Sequence, residues 1–417
     1  MSGLPTRRHF LRLSAVGAGA AVVAACAPPA PPSSSGKPAA EPAKPAEPAK
    51  PAAPAPAASP AAEAAKPAAP AAAAPAAQAQ AMTLKIQSSF PQTDVFHLIG
   101  VDYAKKVDEL SGGRLKIEVL PNNAVSPAFE LIDAVHKKLL DGAVGVPAYW
   151  FGKNKAASLF GTGPSFGMDG DGFLSWIYYG GGQALYDELI QKTLGLNVQS
   201  FFLTPMPTQP LGWFRNEVKG PEDLRNQKYR TVGMSADLMK ELGMSVVILA
   251  GGDIVPSLER GVIDSAEFNN PSSDRALGFP DVRKVMMAQS YHQPAEMLEI
   301  LWNKEKLESL PKDLQAILRY AVVAESADSI WKYMYDQNSK DLKEMKEKQG
   351  VKVFRTPQSV LEAQLKAWDT IIKRESEADP FFAKVVKSQQ EWASRIVPLR
   401  LEIVVPAEPA YNYYFKK

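Results

Sequence analysis

The sequence predicts an α/β fold of two lobes with a cleft between them and long connecting helices. Three observations carry this. Strand-like and helix-like segments alternate from Thr83 to Val146, the pattern restarts between Val198 and Phe268, and one long amphipathic segment runs from Pro311 to about Gln349. Strand–helix–strand order favours a parallel sheet with right-handed crossovers. Ligands in such sheets sit beyond the carboxyl ends of strands, and clefts between domains are preferred binding sites.

Each element has its own signal. Thr83–Ser88 alternates polar and apolar residues and runs into Ser89-Phe90-Pro91, a strand feeding a loop. Val95–Leu110 places Leu98, Val101, Ala104 and Val107 at helical spacing, and Ser111-Gly112-Gly113 stops it. Arg114–Leu120 alternates again, Phe129–Leu140 reads as a second amphipathic helix, and Ala143–Val146 as a short buried strand. In the second series, Val198–Leu203, Gly212–Phe214, Tyr229–Val232, Ser245–Leu249 and Ile263–Phe268 read as strands. Helical segments between them fall at Pro221–Leu224, Ser235–Leu242 and Pro256–Arg260. The long helix carries Leu314, Ile317, Leu318, Ala321 and Val322 as its stripe, with Ser309 expected to cap it, Pro311 in its first turn and Gly350 at its end. Residues 357–375 are amphipathic, and the tail from Leu401 through Tyr411–Phe415 reads as an extended arm.

Three regions precede and include this body. Residues 1–26 hold Thr6-Arg7-Arg8-His9-Phe10-Leu11, a twin-arginine signal, then an uncharged run from Ala15 to Ala25 and Val23-Ala24-Ala25-Cys26. The run is shorter than the roughly 20 residues of a membrane-spanning helix and reads as a signal-peptide core. Its last four residues match a lipobox, in which Cys26, the chain's single cysteine, becomes the lipidated N-terminus. These features predict export by the Tat route in the folded state and membrane anchoring outside the cytoplasm. Residues 27–81 contain 15 of the 35 prolines and no aromatic, Leu, Ile or Val, so they cannot bury enough apolar area to offset ordering. They read as a disordered spacer biased towards polyproline II. The body, 82–417, carries 40 basic and 42 acidic side chains and no cysteine. That balance gives no reason to invoke nucleic acid, and the body can form neither a disulfide nor a thiol nucleophile.

No nucleophile–base pair is visible. The chain lacks a phosphate-binding Gly-x-x-x-x-Gly-Lys-Ser/Thr and a His-Glu-x-x-His pair. Gly180-Gly181-Gly182 lacks dinucleotide spacing and reads as a tight turn. His97, His136 and His292 have no zinc-ligand spacing; His136 is expected in solvent on a Lys-rich face and His97 on the surface. A carboxylate-only hydrolase, recognised by geometry and not by spacing, stays open.

The most specific stretch lies between Trp213 and Asp281. Gly212-Trp213-Phe214-Arg215, Pro221-Glu222-Asp223-Leu224, Lys228-Tyr229-Arg230, the run from Leu249-Ala250-Gly251-Gly252-Asp253 to Ala266-Glu267-Phe268, and Leu277-Gly278-Phe279 form an ordered series. It closely resembles the extracytoplasmic solute-binding proteins of TRAP (tripartite ATP-independent periplasmic) transporters, nearest the branch handling 2-oxo acids and related organic anions. Ser111-Gly112-Gly113-Arg114, Phe129–Val135, Tyr149–Lys153 and Tyr178–Gly182 extend the likeness over essentially all of 83–345.

The resemblance implies a two-lobed periplasmic-binding-protein-like fold that closes on a small organic acid and delivers it to TRAP membrane subunits, without turnover. It assigns Arg230 to the substrate carboxylate, a role that suits a guanidinium because its planar fork makes two parallel charge-assisted bonds. It assigns a bridging metal to Gln209, Glu267 and the backbone carbonyl of Phe268, an all-oxygen set suited to Na⁺ or Ca²⁺. Tyr149 would donate its hydroxyl to the ligand, and Phe90 would line the cleft. From the residues alone, Arg230 also fits a strand-end salt bridge, Glu267 a solvated acid, Gln209 a loop residue and Tyr149 a core aromatic. Two departures from the family pattern stand out. Phe268 occupies the place of a common tryptophan, and Tyr291-His292-Gln293-Pro294-Ala295-Glu296-Met297 replaces a longer Pro-Gly-Trp segment. His292 and Glu296 are expected in a surface turn, with replacement of lost ligand contacts as the other reading. An exported enzyme using the same cleft and a ligand-independent assembly lipoprotein are the alternatives to a receptor. The long helix and 357–375 are expected to serve either the core or a homodimer.

Overall fold

The computed structural model describes residues 81–416. The leader with Cys26 and nearly all of the spacer 27–81 lie outside the described residues. In chain order the strands are β1 (Met82–Ser88), β2 (Leu115–Leu120), β3 (Gly142–Gly145), β4 (Val198–Met206), β5 (Gly212–Phe214), β6 (Lys228–Arg230), β7 (Ser245–Val247), β8 (Ser265–Ala266), β9 (Val285–Ala288), β10 (Glu296–Asn303) and β11 (Lys352–Arg355). They form two sheets, β2-β1-β3-β10-β4 and β11-β9-β5-β8-β6-β7, one for each lobe. The predicted two-lobed α/β architecture is the observed one.

The first sheet follows from its sequence pattern. β1 pairs parallel with β2 and β3, and the crossover helix Val95–Leu110 packs Phe96, Ile99, Tyr103 and Val107 inward. β10 then inserts antiparallel between β3 and β4. In the second sheet, β5 can lie against β8 only because residue 212 is glycine. A Cβ there would meet the Ala266 carbonyl oxygen at 2.5 Å, and its φ of 135° is closed to other residues.

Three connections join the lobes. The chain leaves the first sheet through 207–211, returns through 289–295, and runs along the long helical segment. Within that segment, helix Lys312–Ser329 packs on helix Val95–Leu110 and β4, whereas helix Asn338–Lys348 packs on helix Pro271–Leu277 of the second lobe. Between them lies a π-helical stretch, Ile330–Gln337. Lys106 bonds Glu325 (2.7 Å) and Asp328 (2.6 Å) on the first half, and Arg275 bonds Asp341 (2.6 Å) on the second.

Several expectations are corrected. Phe129–Leu140 is a turn, Ala128–Glu130, followed by a short helix Leu131–His136, because Lys138 takes a left-handed φ of 61°. Ile263–Phe268 contributes only two strand residues; beyond Ala266 the chain turns into the cleft. β9, β10 and β11 were not expected. β10 is buried at every position and so shows no alternation to read. Ser309 does not cap the long helix; its hydroxyl donates to the Lys306 carbonyl, and Pro311 takes the cap position. The tail is not extended but helical, Pro380–Ile403 and Ala407–Phe415. His97 is buried, and His136 is half-buried, its Nδ1 accepting from the Asn197 backbone amide.

The crossover helix carries a titratable cap. Asp94 Oδ1 accepts from the Phe96 amide at 2.8 Å, while Oδ2 is buried without a donor. Burial raises its carboxyl to about 7, only partly opposed by the amide bond. A raised carboxyl favours folding below its unfolded value and loses that contribution as pH rises through 7. Asn caps as well as Asp without the charge. Asp94→Asn is therefore expected to be more stable than wild type at pH 8, by about 1–3 kcal/mol, with the gain vanishing towards pH 4 in urea unfolding curves.

Candidate functional site

The residues singled out in the sequence converge from both lobes. Phe90 follows the carboxyl end of β1, and Val146 and Tyr149 follow β3. Arg230 ends β6, and Glu267 and Phe268 follow β8, which pairs parallel with β6. Gln209 lies on the outgoing connection between lobes, Gln293 on the return, and Glu296 opens β10 directly after it. The two connections bond each other, Gln209 N to Gln293 O at 3.1 Å and Thr208 Oγ1 to Pro294 O at 3.0 Å. Together Phe90, Phe96, Val146, Tyr149, Arg230, Val232, Phe268, Asn269, Gln293 and Glu296 enclose a cavity of about 10 Å³. That is room for about one water, so the cleft is closed.

Arg230 is the one cationic side chain in this lining, and it is 1 % exposed. Its Nε and Nη2 donate to the Leu249 carbonyl (2.9 and 2.7 Å), and Nη1 donates to the carbonyl and Oε1 of Glu267 (2.9 and 3.0 Å). The surface salt-bridge reading of Arg230 and the solvated-acid reading of Glu267 are thereby excluded. Nor does the guanidinium present a free fork: its geometry is set by Leu249, the first residue of the Leu-Ala-Gly-Gly-Asp run. Phe268 lies over the guanidinium at 5.7 Å and touches Phe90 edge-on at 6.5 Å. Gly251 of the same run permits this, since a Cβ there would sit 2.6 Å from the Phe268 ring. Tyr149 stacks edge-on against Phe129 at 4.7 Å, and burial pushes its hydroxyl pKa up, so it is a donor at neutral pH. Its neighbour Trp150 is fixed by Glu299, whose buried carboxylate also accepts from Tyr186 and Ser200.

The expected surface turn at His292 and Glu296 is overturned. Both are buried, because the return connection runs through the interface of the lobes. Glu296 Oε2 accepts from Gln209 Nε2 at 3.4 Å and from Gln293 Nε2, while Oε1 has no donor. Burial pushes the Glu296 carboxyl well up, and the charge of Glu267 adds to this against the opposing pull of Arg230. Burial likewise raises Glu267, again opposed by Arg230. His292 is held neutral, lowered to about 3 by burial and by Arg230, with Nδ1 on Ser290 at 2.7 Å. Gln293 was not singled out in the sequence, and Glu296 was named there only in the second reading, as a replacement for lost ligand contacts. The only available signal was their position in the segment that departs from the family pattern.

Four buried oxygens in this cluster have no donor: Gln209 Oε1, Glu267 Oε2, Gln293 Oε1 and Glu296 Oε1. Unsatisfied buried acceptors are costly. A set of amide and carboxylate oxygens fits a hard cation, not zinc. No cluster of three or more His, Cys, Asp or Glu at metal-holding distance occurs among the described residues, so amide or carbonyl oxygens would have to complete such a site. A larger groove of about 910 Å³ lies between helix Gly170–Tyr179, β4 and helix Lys312–Ser329, but it contains none of these buried charges.

Comparison with known proteins identifies the family of this chain. Residues 87–378 match DctP, the bacterial extracellular solute-binding protein family 7. The chain belongs to that family. It is 27 % identical to the monocarboxylate 2-oxoacid-binding periplasmic protein of Nostoc sp., over 75 % of this chain and 84 % of the relative. A TRAP solute-binding protein of Bordetella bronchiseptica, a dimer with calcium and picolinate in one active site, superposes with a TM-score of 0.74 at 26 % identity, covering 81 % of this chain and 98 % of the other. A TRAP periplasmic solute-binding protein of Pseudoalteromonas atlantica with bound sodium and pyruvate gives 0.73 at 28 % identity, over 81 % and 100 %. This DctP-family protein is a TRAP solute-binding receptor, not an enzyme, and works outside the cytoplasm. No helix among its described residues is long and apolar enough to cross a membrane.

The Gly251 contact gives a direct test of the site's construction. Gly251→Ala is expected to displace the Phe268 ring and weaken ligand binding about tenfold, or about 1.4 kcal/mol, with little change in unfolding midpoint. Calorimetric titration beside a melting curve separates the two effects.

Proposed function

We propose that this receptor captures a small monocarboxylate of 2-oxo or 2-hydroxy type and hands it to the membrane subunits of a TRAP transporter. The observation that carries this reading is Arg230, a buried guanidinium facing the cleft and bonded at Nη1 to a side chain that can be exchanged. The lobes open, and the ligand carboxylate takes the place of Glu267 Oε1 on Nη1 while using the remaining N–H of Nη2. Two parallel charge-assisted bonds result. Tyr149 donates to the ligand from the first lobe. Phe90, Phe96, Val146, Val232 and Phe268 form an apolar wall suited to a short tail. A second carboxylate on the ligand would find no cationic partner in this lining. The calcium- and sodium-containing structural relatives, with picolinate and pyruvate, support the same class.

Glu267, released from Arg230, would hold a metal with Gln209 Oε1 and the Phe268 carbonyl. A hard cation, Na⁺ or Ca²⁺, supplies positive charge between these oxygens and those of the ligand when bound. Closure then excludes water from the pair, which strengthens it.

Outside the body, we infer that the twin-arginine leader sends the folded protein out and that lipidated Cys26 tethers it to the membrane through the spacer 27–81. We also infer a homodimer. Helix Ala407–Phe415 buries none of its residues and leaves Tyr411, Tyr413, Tyr414 and Phe415 exposed, as are Leu399, Leu401 and Ile403 at the end of the preceding helix. A second copy of the chain would cover this surface, and the Bordetella relative is a dimer.

Two measurements test these assignments. Arg230→Lys keeps the charge but loses the fork, and is expected to weaken pyruvate binding by about 10–100-fold in calorimetry. Unchanged affinity would remove Arg230 from the site. Cys26→Ala is expected to abolish incorporation of labelled palmitate into the protein; a variant that is still labelled would exclude Cys26 as the lipid anchor.

A further inference from the structure

We propose that Gly233 is the stop that fixes how far the two lobes close, and that through this stop the receptor selects short-chain acids over longer ones. The inference rests on the carboxylate-receptor reading and goes one step past it, to the length of the ligand. Gly233 is buried three residues beyond Arg230, between Val232 of the cleft wall and helix Ser235–Glu241 of the second lobe. Opposite it stand Ala148, in the turn Pro147–Trp150 that follows β3, and Ser158 and Thr162, in and just after the turn Lys155–Phe160 packed on it. A Cβ on Gly233 would lie 2.3 Å from Thr162 Oγ1, 2.9 Å from Ser158 Oγ and 3.2 Å from Ala148 Cβ, so the backbone of one lobe touches the side chains of the other directly. The next amide closes the contact. Met234 N donates to Thr162 Oγ1 at 3.0 Å and to Ser158 Oγ at 3.2 Å, with all three residues buried.

The stop and the grip on the ligand share the same two segments. Ala148 precedes Tyr149, the donor assigned to the first lobe, and Gly233 follows Arg230 at the strand end of the second. Contact at Gly233 therefore fixes the span between Tyr149 and Arg230. Packed atoms do not interpenetrate, so closure halts where Thr162 and Ser158 meet the glycine backbone. Glycine permits the shortest span that any residue can give; a side chain here would hold the lobes apart. A ligand short enough to lie within that span lets the lobes reach the stop, and Met234 N gains its two acceptors. A longer tail props the lobes apart and leaves that amide and both hydroxyls facing a gap, at the cost of unmade hydrogen bonds. The cleft wall has little room to yield instead, since the buried rings of Phe96 and Phe268 both pack edge-on against Phe90.

The test titrates the full-length protein with pyruvate and with 2-oxovalerate, two methylenes longer, in a calorimeter. The wild type is expected to bind pyruvate at least about tenfold tighter, the scale on which apolar pockets discriminate a methylene. Gly233→Ala is expected to weaken pyruvate by about tenfold or more and 2-oxovalerate by less, so that the preference narrows. The φ of Gly233 is 61°, so alanine there is strained whatever the space. The double variant Gly233→Ala, Thr162→Ala carries the same strain but lacks the nearest clashing atom, and is expected to recover the pyruvate preference. Thr162→Ile adds bulk to the same contact from the other lobe without backbone strain. It is expected to narrow the preference as well, which keeps the test decisive should Gly233→Ala not fold. A wild type indifferent to chain length, a Gly233→Ala variant with the wild-type preference, or a double variant as weak for pyruvate as the single one would each overturn the proposal. Arg230→Lys, measured alongside, separates its failure from that of the broader reading. If Arg230→Lys loses affinity for both acids while Gly233→Ala keeps the preference, the receptor reading stands and the stop falls. If neither acid binds the wild type, both fall.

Discussion

The structure depends on a guanidinium kept out of water. An isolated buried arginine would be prohibitively expensive, and Arg230 is tolerated because four of its N–H groups are satisfied by the Leu249 carbonyl and by the carbonyl and carboxylate of Glu267. That requirement explains why the second lobe is ordered as it is. β6, β7 and β8 must run parallel so that their carboxyl ends place Arg230, Leu249 and Glu267 at one point. The glycines at 212 and 251 let β5 and Phe268 approach closely enough to complete it.

The first lobe contributes little charge and much surface. Its parallel strands β1 and β3 aim Phe90 and Tyr149 at the same point, behind which Trp150 is braced by Glu299. The polar remainder comes from the junction of the lobes, Gln209 and Gln293 from the two connections and Glu296 from the start of β10. A cation held by these oxygens would stabilise the closed arrangement. The long helix spans the same junction with a π-helical stretch between a half tied to each lobe.

How much of this was legible beforehand depends on the residue. Elements with clean periodicity, such as the strand Met82–Ser88 and the helix Val95–Leu110, were readable because one face is buried and the other is wet. β10 was not, since it is buried on both faces and its glutamates look like surface residues. Arg230, Glu267, Phe268, Gln209, Tyr149 and Phe90 were located only through the resemblance; nothing in local spacing distinguishes a buried strand-end arginine from an exposed one. His292 and Glu296 were misplaced for the same reason. A short polar stretch with a proline reads as a turn, and only the paired connections between lobes reveal that this one passes through the interior.

The central claim is that Glu267 Oε1 holds Arg230 Nη1 until a ligand carboxylate replaces it. A crystal structure of the protein grown with pyruvate and calcium tests this most directly. The pyruvate carboxylate is expected on Arg230 Nη1 and Nη2, with Glu267 turned away from the guanidinium onto the metal. A structure in which the Arg230–Glu267 bond persists and pyruvate lies elsewhere would contradict it.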